Sequence, residues 1–311
     1  MKNKLENLFS FVAIAIGSLS GIPWIKVGVL VGEKFHSPIL GNIVSMSVVL
    51  SFGVTTVWVF FEIQKKIKSS FQASKDGGRL SKLLEHSLCF FFGFLATIVT
   101  IYISYKYNKN IFMCILASTV AFSYATFGIY NIKKFIIYPI LNRKYFNESH
   151  SQGFFEKKIT LLICLFFPLI DFSYQSIAIY QIAVKITSIK IAYLFLLLVT
   201  ATPMYGLNTL SAFSLATGII KIYKGGGKIF YRGNFLLFAF LLVSFFSSCT
   251  NGYVVYSLMY SVAPKWTSIV ITISILLSQT ALQTLALTKV SGWIANKFHY
   301  RGLSLLYGYK L

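Results

Sequence analysis

Asp171 is the residue of this chain with the clearest chemical potential. It stands in Pro168-Leu169-Ile170-Asp171-Phe172-Ser173-Tyr174-Gln175, inside a run of mostly apolar residues that begins at Ile159. Helical spacing puts Asp171, Tyr174 and Gln175 on one face, at i, i+3 and i+4. Farther along the same run, Gln181 and Lys185 form a second polar pair at i, i+4 spacing. A carboxyl, a phenol and an amide on one face can hold a proton or a small cation, or bind a polar substrate group. The competing reading is structural: a hydrogen bond between helices, or a contact with a partner subunit. Lys185 and Lys26 are the candidate counter-charges, and Lys26 also has the option of reaching to the outer surface with its long stem.

Other polar residues sit at comparable depth in apolar runs. Asn208 and Thr209 lie beside Pro203 and Gly206. Gln279, Thr280 and Gln283 lie in the last run, where Gln279 and Gln283 are one turn apart and share a face. They line a cavity or hold helices together. Cys89, Cys114, Cys164 and Cys249 are separated from one another and read as small buried apolar residues, not as a zinc or redox site. His36, His86, His150 and His299 each stand alone in or near a loop. No zinc-protease, nucleophile-elbow or phosphate-loop motif is present. Of the eight acidic residues only Asp171 falls well inside an apolar run, so acid–base pairs are missing. The expectation is a protein that is not an enzyme and needs no metal or cofactor.

The elements that position these residues follow from composition. The 311 residues are 56% apolar and only 12% charged, with a mean hydropathy of +0.70. A soluble domain carries about 25% charge. A water-soluble globule, a disordered chain and a disulfide-stapled secreted domain are therefore excluded. The expected fold is all-α: a polytopic transmembrane helical bundle, because lipid leaves the backbone no partners outside a helix or a closed barrel. Continuous apolar runs argue for helices over barrel strands. Eight spans are predicted, at 8–31, 38–61, 87–105, 111–130, 159–185, 189–220, 235–256 and 266–287. The sixth is too long for one straight crossing; it tilts, breaks near Pro203 and Gly206, or ends before Ala216. The first run carries Gly17, Ser18, Ser20, Gly21 and Pro23, which point to a kink or close packing. It has no small-x-small cleavage site, so it reads as a span and not as a signal peptide.

Net charge is +21. With the N-terminus in the cytoplasm, 22 of the 29 Lys and Arg residues fall on the cytoplasmic side. That asymmetry predicts both termini cytoplasmic and an even span count. It also accounts for the basicity without nucleic acid, since the charges are dispersed by topology and not gathered in one patch. The partners expected are membrane lipids, anionic headgroups at the basic loops, and further protein subunits or copies of the chain. Usage rich in Lys, Asn, Ile and Phe points to an AT-rich, bacterial genome and so to the bacterial cytoplasmic (inner) membrane.

The runs also repeat. Spans one to four and five to eight start at offsets of 148 to 155 residues, and each half places a basic, Gly-containing loop after its second span. Those loops contain Asp76-Gly77-Gly78-Arg79 and Gly225-Gly226-Gly227-Lys228. Gly53 and Gly206 occupy matching places. The expected organisation is a membrane repeat at 1–130, a basic linker at 131–158, a second repeat at 159–289 and a tail at 290–311. Four spans per half makes the repeats parallel, a plan in which transporters place the substrate path between the halves.

Each half resembles the opening of a half of the multidrug and toxin extrusion (MATE) and polysaccharide/lipid flippase superfamily. The resemblance rests on a polar first helix, here Asp171 to Gln175, and a glycine-bearing second helix, here Pro203-Met204-Tyr205-Gly206-Leu207-Asn208. A basic glycine-rich loop follows, at Lys75 to Arg79 and at Lys224 to Lys228. Family halves have six helices where these have four, which implies a shortened relative or an oligomer. The resemblance implies rocking of two lobes and export of lipid-linked or amphiphilic substrates, with Asp171 near the place of the acidic residue in a lobe's first helix. The expectation is a membrane transporter or flippase, coupled to H⁺ or Na⁺ through a buried carboxylate. The alternative is a non-catalytic membrane subunit of a larger complex.

Overall fold

The computed structural model of the chain describes residues 2–22, 25–73, 79–108, 110–141, 153–186, 190–224, 235–260 and 264–297. Among them there are helices and no strand. The helices are α1 (Lys2–Gly21), α2 (Ile25–Lys34), α3 (Pro38–Ala73), α4 (Arg79–Asn108), α5 (Ile111–Ile132), α6 (Tyr138–Leu141), α7 (Gly153–Ile186), α8 (Lys190–Lys224), α9 (Phe235–Tyr260) and α10 (Lys265–Lys297). A π-helical turn, Lys133–Ile137, joins α5 to α6. The chain is an all-α membrane protein. Among the described residues, six segments are long and apolar enough to cross a bilayer: 38–66, 86–105, 111–141, 192–214, 237–257 and 265–294. The 34 residues of α7 extend about 51 Å at 1.5 Å each, also ample for a crossing.

Two spans differ from the expectation, and the sixth takes the unbroken one of its alternatives. The first run is two helices and not one, and the sequence between them carries Pro23, whose missing N–H and fixed φ oppose a continuous ladder. The fourth helix runs on through the π turn to Leu141, into the stretch expected as linker. The sixth is a single helix of 35 residues that keeps Pro203 inside it. Helix starts recur along the chain at similar offsets. The starts of α1, α3, α4 and α5 recur as those of α7, α8, α9 and α10 at offsets of 151 to 156 residues, and α3 and α8 have 36 and 35 residues.

The surface and interior are inverted relative to a soluble protein. Large apolar side chains such as Met46, Ile111 and Trp266 stand outside, each about three-quarters exposed, as a lipid-facing surface requires. Hydroxyls lie inside: Ser47, Ser51, Thr55 and Thr56 of α3 are all buried. Many hydroxyls bond down their own helix, as Thr55 Oγ1 does to the Ser51 carbonyl at 2.6 Å and Ser118 Oγ to the Cys114 carbonyl at 2.6 Å, while Ser51 Oγ has no partner among the described residues.

By packing, the chain divides into two compact units, residues 1–16 with 59–210, and residues 17–58 with 211–311. In the second, glycines let α1 and α2 lie against α3. Gly17 meets Gly53 and Val57, Gly21 meets Val49, Gly28 meets Ser45, and Gly32 meets Gly41, an antiparallel order whose register shifts by three residues between α1 and α2. A Cβ on Gly32 would stand 3.0 Å from the Gly41 Cα. Van der Waals contact between backbones drives such association, because lipid is as apolar as leucine. The turn from α2 to α3 closes through His36, whose φ is +49°.

In the first unit α4 packs along α5. Gly93 admits Thr126 and Phe122, and Phe94 meets Phe122 edge-on at 5.3 Å between ring centres. Asn110 caps α5 by accepting from the Met113 N–H at 3.3 Å. Ala96, Val99, Ala125 and Val199 form a core joining α4, α5 and α8. The tightest crossing is α5 on α8: a Cβ at Gly128 would overlap the Pro203 carbonyl, and one at Gly206 would overlap the Gly128 carbonyl.

The crossing yields a paired prediction. Gly206→Ala forces backbone away from backbone and costs about 1–3 kcal/mol, the usual range for overpacking. Gly292→Ala, where no atom lies within 4 Å of the added Cβ, gains up to about 1 kcal/mol from helix propensity. Thermal unfolding of the two variants in detergent is expected to move Tm in opposite directions.

Candidate functional site

Cys164, Pro168 and Asp171 fall at i, i+4 and i+7, and all three are almost wholly buried, Asp171 at 1% exposure. They define the inward face of α7. Leu162, Phe166 and Leu169 on the other side are exposed. Asp171 is the one buried charged side chain among the described residues. Its carboxyl is engaged and closed off from solvent. A carboxylate looking into open, wet space is therefore not what this conformation holds.

The closure comes from α8. The Tyr205 hydroxyl donates to the Leu165 carbonyl at 2.8 Å, and its ring meets Phe172 edge-on with centres 6.2 Å apart. Pro168 has no N–H for the Cys164 carbonyl, so this turn of α7 is loosened. Tyr205 ties the neighbouring carbonyl, that of Leu165, to the facing helix and so braces the loosened turn. Thr209, fully buried one turn on, bonds back to the Tyr205 carbonyl at 2.8 Å. Asn208 is buried in the same stretch of α8. The structure thus brings Tyr205 of the Asn208 segment to the turns of α7 on either side of Asp171.

The remaining candidates are placed as follows. Tyr174 and Gln181 are half-buried on α7. The side chains of Gln175 and Lys185 lie outside the described residues. Lys26 is exposed on α2, which fits a lysine reaching to the headgroup layer. Gln279 accepts a hydrogen bond from the Asn251 amide at 2.7 Å, so it holds α10 to α9. Gln283 is buried at 7% exposure, and its Oε1 has no hydrogen-bond partner among the described residues. No group of three or more His, Cys, Asp or Glu side chains that could hold a metal occurs among the described residues.

Two residues of consequence were not singled out from sequence. Tyr205 was visible as the residue one turn before Asn208 on a shared face. Asn251 was visible as a lone amide deep in the seventh run. Separately, an apolar groove of 620 Å³ lies between α4 and α5, lined by Phe94, Ile101, Ile115 and Phe122 among others. Its size and lining fit an acyl chain and offer no chemistry.

No protein-family model matches this chain, and neither the curated proteins nor the solved structures give a match. What the fold and site define is an integral membrane protein with a buried, engaged carboxyl at a proline-loosened turn.

Tyr205→Phe removes one hydrogen bond and leaves the ring in place. A loss of about 1 kcal/mol is expected, read as a lowered Tm in detergent. A double-mutant cycle on Asn251 and Gln279, each to Ala, is expected to give a coupling energy of about 1 kcal/mol, which separates helix glue from a pair that merely adjoins.

Proposed function

We propose that the protein is a membrane transporter of the flippase or secondary-carrier type, in which Asp171 is the group that couples to H⁺ or Na⁺. The observation that carries this reading is the position of Asp171: a carboxyl at 1% exposure, in a span, next to a proline inside the helix. An acid at bilayer depth costs about 2.5–3.5 kcal/mol on insertion scales, so it is kept where a function or a specific partner requires it. The recurrence of helix starts supports the same reading, because carriers of this kind are built from duplicated halves. The resemblance to the MATE and lipid-flippase superfamily points the same way: a polar first helix, then a glycine-bearing second helix. Placement in a bacterial inner membrane with both termini cytoplasmic is part of this proposal and rests on the lysine and arginine distribution.

One observation favours the second reading, a non-catalytic subunit of a larger complex. Asp171 is buried and has an interaction partner, on a helix that Tyr205 of α8 also ties down, as a structural anchor would be. In that case the carboxyl serves stability alone.

Asp171→Asn separates the two. The variant keeps the shape and hydrogen-bonding reach of the side chain and removes its ability to lose or hold a charge. In proteoliposomes that scramble or transport a fluorescent lipid or amphiphile, the coupling role predicts loss of gradient-driven transport by about tenfold or more with Tm unchanged. Transport that persists in the variant, together with a lowered Tm, sinks the coupling role. Co-purification with fixed partner chains from native membranes then supports the subunit reading.

A further inference from the structure

Hydroxyls in these spans normally bond to the carbonyl one turn back. Thr97, Ser118, Thr200, Thr272 and Thr288 all do so, at 2.6 to 2.9 Å. Polar groups in hydrocarbon have no other partner, so this is the resting choice. Ser51 on α3 and Thr126 on α5 depart from it singly, and one larger set in the second unit departs from it together. The side-chain oxygens of Ser244, Ser247 and Ser248 on α9, and of Thr280, Gln283 and Thr284 on α10, are buried and bond to nothing among the described residues.

Gln283 falls together with the three serines, and Thr280 and Thr284 flank it on the adjoining side of α10. Asn251 on Gln279 fixes an antiparallel register between α9 and α10. Gly252, facing Thr272 and Leu276, agrees with it. That register sets Ser247 level with Gln283. Ser244, Ser247 and Ser248 share one face of α9, and Thr280, Gln283 and Thr284 share one face of α10. The three serines are each at most 1% exposed and Gln283 is at 7%. The six oxygens are closed to water as well as to protein partners. Tight burial of several unpartnered polar groups is costly and calls for an explanation. A seam that holds helices together would bond across, as Asn251 and Gln279 do one turn away.

We propose that this α9–α10 seam is the closed form of a hydrophilic passage, whose occupants in a second conformation are water and small uncharged hydroxyl-bearing solutes. Opening by a small separation of α9 from α10 gives each oxygen the partner it lacks here. The solute class follows from the lining. The six groups are hydroxyls and one amide, with no acidic or basic side chain among them, so they match donors and acceptors without selecting charge. The passage rests on the transport reading for its purpose, and it does not involve Asp171.

The test uses full-length protein in proteoliposomes. Cys89, Cys114, Cys164 and Cys249 are first replaced by Ala. Ser247→Cys and Gln283→Cys are then compared with Thr209→Cys, a fully buried position whose hydroxyl is bonded. A charged, membrane-impermeant methanethiosulfonate is expected to label the two seam thiols at least about tenfold faster, as water reaches them in the open form. Labelling no faster than at Thr209→Cys overturns the proposal. A second measurement has an opposite sign under the two readings. If the seam is orphaned, Gln283→Leu raises Tm by about 2–4 °C and abolishes labelling at Ser247→Cys. If the seam is structural glue, Tm falls or the protein fails to fold, and the passage is excluded. Both readouts report the seam alone. Labelled seam thiols in a protein that moves no solute leave the seam hydrated and overturn the transport reading instead.

Discussion

A polar group inside a bilayer must find its partner within the protein, and the structure is organised by that constraint. Water is not available to take up what the fold leaves over, so each unpaired buried donor or acceptor costs about 1–3 kcal/mol. The helices meet the demand first through their own backbones and then through hydroxyls folded back on the preceding turn. Where proline breaks the ladder, in α7, Tyr205 crosses from α8 to an adjacent carbonyl. Where an amide is placed deep in a helix, another amide answers it, as Asn251 answers Gln279. The same constraint explains the inverted arrangement of leucines and isoleucines outside and serines and threonines within.

The constraint also fixes how closely helices approach. Apolar side chains gain little by leaving lipid for protein, so contact area between backbones does most of the work. Glycine is needed wherever two helices touch directly. Gly128 and Gly206 are each other's neighbours across α5 and α8. Gly17, Gly21, Gly28 and Gly32 follow one another along α1 and α2 against a partner stripe on α3. The exposed ion pair of Lys65 with Glu62, at 3.0 Å, contributes little by comparison, since water screens it.

Much of this was legible in the sequence, for a physical reason. An apolar run of twenty residues has few ways to satisfy its backbone in lipid, so run length translates directly into helix. Asp171 stood out because charge is rare in such runs; spacing grouped it with Tyr174 and Gln175, and only packing shows that the face it buries is the one it shares with Cys164 and Pro168. What escaped is tertiary. Gly53 and Gly206 could be matched to each other by position, but that one meets Gly17 and the other Gly128 depends on which helices pair. Pro23 signalled a kink, and the distinction between a kink and two separate helices lies in packing against α3. Gln279 and Gln283 looked alike, one turn apart on one face, yet one is bonded and the other is not. That difference is set by a single amide on a different helix.

The contrast between Gln279 and Gln283 bears on where motion resides. A contact whose polar groups are paired loses hydrogen bonds when it opens, and opening is opposed. A contact whose polar groups are orphaned gains them when water enters, and opening is favoured by the same physics. The α7–α8 contact beside Asp171 belongs to the first kind, with Tyr205 bonded across and the carboxyl engaged. The α9–α10 seam belongs to the second from Ser244 to Ser248, and to the first only at Asn251. Most of the unpartnered buried oxygens among the described residues therefore lie in one hairpin, with Ser51 on α3 and Thr126 on α5 outside it. A single bonded amide pair at one end of that hairpin is well placed to serve as the pivot, since it stays paired while the hydroxyl face beyond it separates.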